Sequence, residues 1–144
     1  NSYNKIDRYL RDNDRGSISA LMITGVWIEG QYLATQVALS HNDEILRDRI
    51  GEQKIILGDL LMLLRPYRGS SEDYGSLYGM MEQISTKYFD VKVSYRLGEP
   101  ETREEAGRLV VVQHEESIVE MTDAQLAEIA ALSKEVRNKL TSGN

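Results

Sequence analysis

Few residues in this chain stand at spacings that do chemistry. Asp48, Glu52 and Asp59 fall along one line of a helical stretch, where clustered carboxylates hold hard cations or exchange protons. Arg47, Arg49 and Lys54 beside them offer ordinary surface ion pairs instead, and no calcium-loop pattern surrounds them. Glu29 is the sharper candidate. It lies next to Trp27 and Tyr32 in a stretch with no other charge, where a desolvated carboxylate suits a pocket wall. The competing expectation is a carboxylate bonded to a tyrosine hydroxyl or an arginine. Glu29, Trp27, Tyr32 and Asp59 are therefore the candidate ligand-binding residues.

His41 and His114 are the only histidines. Neither belongs to a metal-ligand motif, and no catalytic triad follows from residues scattered along the chain. Tyr74, Tyr78 and Met81, with Tyr88 beyond them, keep helical spacing; they offer an aromatic surface to a protein partner, or the edge of an ordinary core. No glycine pattern follows a strand and opens a helix as a nucleotide loop requires. No catalytic residue, metal ligand or cofactor is expected, and an enzyme is the less favoured class.

The elements that carry these residues are mostly helical. Tyr3 to Leu10 reads as a short leading helix, Asn13-Asp14-Arg15-Gly16 as a turn, and Ser17 as the cap of a second helix through Leu39. Ile18, Leu21, Met22, Ile28 and Leu39 recur at helical spacing, and Ile23, Trp27 and Val37 widen the apolar surface, so this helix is expected at the centre of the fold. Asn42, before Asp43 and Glu44, is the expected cap of a helix running back to about Arg65, where Pro66 disfavours continuation. A loop to Ser71 precedes a third long helix from Tyr74 towards Phe89. Glycines inside the helices, among them Gly25, Gly30, Gly51, Gly58, Gly75 and Gly79, each weaken a helix by about 1 kcal/mol; close helix contacts are expected to compensate.

From Val91 the period alternates, with Val91, Val93, Tyr95 and Leu97 on one side, so a strand is expected. An acidic loop from Gly98 to Gly107 and short strands at Leu109–Val112 and Ile118–Met121 complete a hairpin-like insert over about 91–121. Thr122-Asp123-Ala124-Gln125 is a capping box that opens a last amphipathic helix, with Thr141 to Asn144 fraying.

Composition bounds the partners. The chain has 144 residues and a net charge of −6, which disfavours nucleic acid and anionic lipid. It contains no cysteine, so disulfides and thiol chemistry are excluded. Ile18 to Leu39 is long enough to span a bilayer, but Glu29 near its middle costs about 2 to 3 kcal/mol there, and a helix buried in a bundle is expected instead. Asn1 in place of Met reads as a trimmed start.

Gly25-Val26-Trp27-Ile28-Glu29-Gly30-Gln31-Tyr32-Leu33-Ala34-Thr35-Gln36, with Val91-Lys92-Val93-Ser94-Tyr95 and Thr122-Asp123-Ala124-Gln125-Leu126, resembles a group of uncharacterised secreted bacterial helical proteins often labelled lipoproteins. The resemblance covers most of the chain. It implies export, a periplasmic or membrane-anchored location through a removed leader, and room for a lipid-bearing cysteine upstream of Asn1. It carries no site residues with it.

The expected fold is mainly α: one domain over 1–144, an antiparallel bundle of about four long helices with the strand insert before the last. The preferred function is a non-enzymatic extracytoplasmic binding or protein-interaction module, with an unknown protein or small molecule as partner. The alternative is a small enzyme or ligand carrier with an inter-helix pocket around Glu29.

Overall fold

The computed structural model describes residues 2–142, with the side chains of Lys5 and of residues 14–142. Four helices dominate: α1 (Ser2–Ser40), α2 (Glu44–Leu64), α3 (Glu72–Lys87) and α4 (Asp123–Thr141). Between α3 and α4 the chain forms β1 (Lys92–Leu97), β2 (Glu101–Glu105), β3 (Arg108–Val112) and β4 (Glu115–Glu120). The fold is thus mainly helical, with a small antiparallel strand region before the last helix.

Two helix starts follow their local chemistry closely. Ser71 caps α3 by accepting from the Tyr74 amide at 3.1 Å. At α4 the Thr122 hydroxyl accepts from the Gln125 amide while the Gln125 side chain accepts from the Thr122 amide, at 3.1 and 2.8 Å, satisfying two orphan donors reciprocally. The cap of α2 is Asp43 rather than the expected Asn42; its carboxylate accepts from the Leu46 amide at 3.2 Å. Past Leu64, Pro66 lies in a single 3-10 turn, Arg65–Tyr67. Thr141 is still helical, while Gly143 and Asn144 lie outside the described residues.

The turn expected at Asn13–Gly16 does not form, and α1 runs unbroken for 39 residues. Tertiary contacts hold the helix there. Gly16 lies directly under the Tyr67 hydroxyl, leaving no room for a Cβ. The Tyr74 hydroxyl donates to the Ser17 carbonyl at 3.2 Å, and Ala20 is fully buried. Turn propensity in a few polar residues is a weak preference that such packing overrides.

The main interior joins the helices, with a smaller cluster of Ala38, Ile50 and Leu126 beside it. Leu57, Leu60, Leu64, Leu77, Met81, Ile84, Tyr88, Val91, Ile129 and Val136 are buried in a single cluster, with Trp27 and Tyr78 packed against it. The contribution of α1 differs from the expectation of an all-round buried helix. It buries Ala20, Thr24, Ile28, Gln31, Thr35 and Ala38, a stripe at helical period, and leaves its opposite face in solvent. The glycines also divide. Gly51 sits directly against Val119, and a Cβ at Gly75 would stand only 3.0 Å from the Arg68 carbonyl oxygen. A Cβ at Gly25, Gly30, Gly58 or Gly79 would meet nothing within 4 Å, so close contact does not explain those four.

The strand region is a long ribbon made of two ladders. β1 pairs with β4 from Lys92↔Glu120 to Leu97↔Glu115, and β2 with β3 from Glu101↔Val112 to Glu105↔Arg108. Where an acidic loop was expected, Glu101–Glu105 is a strand, because Arg108–Val112 supplies a β-branched ladder to pair with. Three residues, Gly98 to Pro100, oppose two, Gln113 and His114, an extra residue of the kind that bends a ribbon. The tip turns through Ala106 and Gly107, both with positive φ of 48° and 76°, the signature of a tight hairpin turn. The ribbon is anchored only at its root. There Val119 meets Gly51, Val91 is buried, and Lys54 donates to the carbonyls of Phe89 and Val91 at 3.2 and 2.7 Å. Burial fades outwards, leaving Tyr95, Leu97, Leu109 and Val111 exposed.

Candidate functional site

Glu29 and Trp27 are two residues apart on one helix, so their side chains point to nearly opposite sides. Trp27 faces α2, where its indole Nε1 donates to Gln53 Oε1 at 2.8 Å. Glu29 faces α4, where it accepts from Arg137 Nε at 3.1 Å, and the same guanidinium stacks 4.7 Å from the centre of the Tyr32 ring. The hydrogen bond to Glu29 raises the Arg137 pKa beyond its ordinary value, with partial burial opposing it. The half-exposed Glu29 carboxylate is therefore already engaged. Asp59 lies on the exposed side of α2. The fold does not bring Trp27, Glu29 and Asp59 to one place.

Two concavities flank the outer side of α2. The first is a groove of about 220 Å³ between α1 and α2, walled by Trp27, Gly30, Ala34, Leu46, Arg49 and Gln53. The second, about 640 Å³, lies between α2 and the ribbon root and includes Asp48, Arg49, Glu52, Tyr95, Glu116 and Ser117. Two of its acids are engaged. Glu52 accepts from the Ser117 hydroxyl and from Arg49 Nη1, the latter at 3.2 Å, and Glu116 pairs with Arg96 at 3.0 Å. Among the described residues, no group of three or more His, Cys, Asp or Glu is placed to hold a metal ion. His41 is exposed with Nδ1 3.0 Å from the Ser40 hydroxyl, and His114 is exposed at the ribbon's bend.

The aromatic set of α3 is placed inwards. Tyr74 and Met81 are core residues and Tyr78 is half-buried, with the Arg68 guanidinium 5.7 Å from its ring centre. A partner surface made of Tyr74 and Met81 is not what this fold presents. Tyr88 has a different role. Its buried hydroxyl accepts from Gln31 Nε2 at 2.6 Å and donates to the Ile50 carbonyl at 2.8 Å, joining α1, α2 and the end of α3. Burial pushes its phenol pKa well above the ordinary value, against a smaller lowering by the Gln31 hydrogen bond.

What the fold presents to solvent instead is the outer face of α1. Met22, Val26 and Leu33 are 67%, 75% and 54% exposed, with Ile23 and Val37 about half exposed beside them. Gly30 lies among them and forms one wall of the Trp27 groove. The signal was present in the sequence as the 3–4 spacing of Ile23, Val26, Gly30, Leu33 and Val37, but apolar spacing marks a face without saying what covers it. Comparison with protein-family models, with curated proteins and with solved structures finds no match to this chain. Among the described residues, no helix is long and apolar enough to cross a membrane.

Proposed function

We propose that this chain is a non-enzymatic protein-interaction module, in which the four helices act as an antiparallel bundle that holds the outer face of α1 open to a partner. The observation that carries the reading is that continuous apolar face, Met22 to Val37, beside the Trp27 groove. An apolar stripe of this extent, next to a concavity, is the usual surface of a docking site. A carrier or enzyme centred on Glu29 has weaker support, because Arg137 already occupies that carboxylate. The extracytoplasmic location implied by the resemblance to secreted bacterial lipoproteins belongs to the same proposal, and fractionation of producing cells tests it.

The functional test is photo-crosslinking in the cell. A photoreactive residue at Val26 or Leu33 is expected to give discrete protein adducts, while one at exposed Glu82 on α3 gives none. Equal labelling at all three positions, or none at Val26 and Leu33, would overturn the interaction reading.

A further inference from the structure

Ile23, Val26, Gly30, Leu33 and Val37 alternate by three and four residues, the spacing of a seam that packs against another helix with the same seam. We infer that two copies of the chain pair through α1, antiparallel about a twofold axis between Gly30 and Leu33, each Leu33 filling the space over the other copy's Gly30. This rests on the interaction reading above and names its occupant.

Three observations favour a second copy. The first is register. A twofold axis at that level sets Val26 opposite Val37, Gly30 opposite Leu33 and Ile23 opposite Ser40, so every large seam residue meets an apolar or small one, as an isologous contact requires. The second is Gly30 itself. A Cβ there would meet nothing within 4 Å, and the residue borders a groove of about 220 Å³. Nothing in the monomer calls for a helix-weakening glycine at this position, whereas a partner's leucine entering the groove does. The third is area. Met22, Ile23, Val26, Leu33 and Val37 are each about half exposed or more; with on the order of 100 Å² open apiece they give about 1,000 Å² for the pair, the lower bound of a specific interface.

Charge agrees with this occupant. The seam between Ile23 and Val37 carries no charged residue, so two copies meet without repulsion despite a net charge of −6 each. An anionic membrane would instead meet an acidic protein.

Sedimentation of the full chain between about 1 and about 100 µM tests the pairing. The expected species at the upper end has twice the 16.4 kDa chain mass. Gly30→Leu, whose side chain has free space in the monomer, is expected to keep or raise the thermal midpoint through helix propensity while weakening association at least about tenfold. Orientation is read by cysteines, since the chain has none of its own. Val26 and Val37 lie about 16 Å apart along the helix, so a mixture of Val26→Cys and Val37→Cys chains should oxidise to a linked dimer while Val26→Cys alone does not. A wild-type monomer at the highest concentration, Gly30→Leu associating as tightly as wild type, or Val26→Cys linking alone as well as the mixture would each overturn the pairing. So would a monomer that binds neutral phosphatidylcholine vesicles. A monomer that still gives the Val26 photo-adduct overturns the pairing alone; a monomer without it overturns the interaction reading as well.

Discussion

Along the inner face of α1, Thr24, Gln31 and Thr35 are buried, whereas along its outer face Met22, Val26 and Leu33 meet solvent. The inner polar groups are inexpensive to bury because each has a partner. The hydroxyls of Thr24 and Thr35 donate to the carbonyls of Ala20 and Gln31 at 2.7 and 2.8 Å within their own helix, and Gln31 donates to Tyr88. The outer groups remain exposed because no element among the described residues covers them. Along this helix, burial follows which side the topology covers, and the polar residues on that side are tolerated because their atoms are satisfied.

The sharpest way to break this comparison is to truncate one residue on each face and measure chemical denaturation at protein concentrations too low for association. Ile28→Ala, on the inner face, should lower stability by about 2 to 4 kcal/mol through the cavity it leaves. Val26→Ala, on the outer face, should stay within about 0.5 kcal/mol. Equal losses would mean that the outer face is covered within the monomer.

Next in size is the polar link that lets the inner face be buried. Tyr88→Phe removes the acceptor of Gln31 and the donor to Ile50, leaving buried groups unpaired at a cost of about 1 to 3 kcal/mol. The same phenol predicts a pH dependence. Its folded pKa lies above the ordinary value of 10.0, so the unfolded chain releases the proton first as pH rises. Stability is therefore fully present below about pH 10 and falls above it. Denaturation curves at increasing alkaline pH should fall more steeply for the wild type than for Tyr88→Phe; parallel curves would remove Tyr88 from the account.

Smaller effects sharpen the contrast. Gly30→Ala, with open space around the new methyl group, should raise monomer stability by up to about 1 kcal/mol through helix propensity alone. Gly51→Ala, directly against Val119, should lower it. Thr35→Val on the inner face should change stability by less than about 1 kcal/mol, because the lost hydroxyl served only carbonyls of its own helix, those of Gln31 and Tyr32. Thermal unfolding of the three variants at one low concentration checks the ranking.

Much of the scaffold was legible from residue patterns. The Thr122–Gln125 box, the stop at Pro66 and the change of period at Val91 rest on contacts between near neighbours, and near neighbours are what a sequence displays. The β2 strand and the unbroken α1 were not legible. Glu101–Glu105 becomes extended only because Arg108–Val112 folds back on it, and Asn13–Gly16 stays helical only because Tyr67 and Tyr74 pack there. At the candidate site, the sequence offered Trp27, Glu29 and Tyr32 as one group. The helix directs Trp27 to α2 and Glu29 to α4, where Arg137, 108 residues along the chain, meets the carboxylate.

By itself the sequence determined that α1 carries apolar residues on more sides than one neighbour can cover, since a helix sets each side chain's direction by its position alone. Only the tertiary structure decided which side turned inwards. The interior of this chain accepted Thr24, Gln31 and Thr35 because Tyr88 and the helix's own carbonyls satisfied them, and that choice left Met22, Val26 and Leu33 facing out.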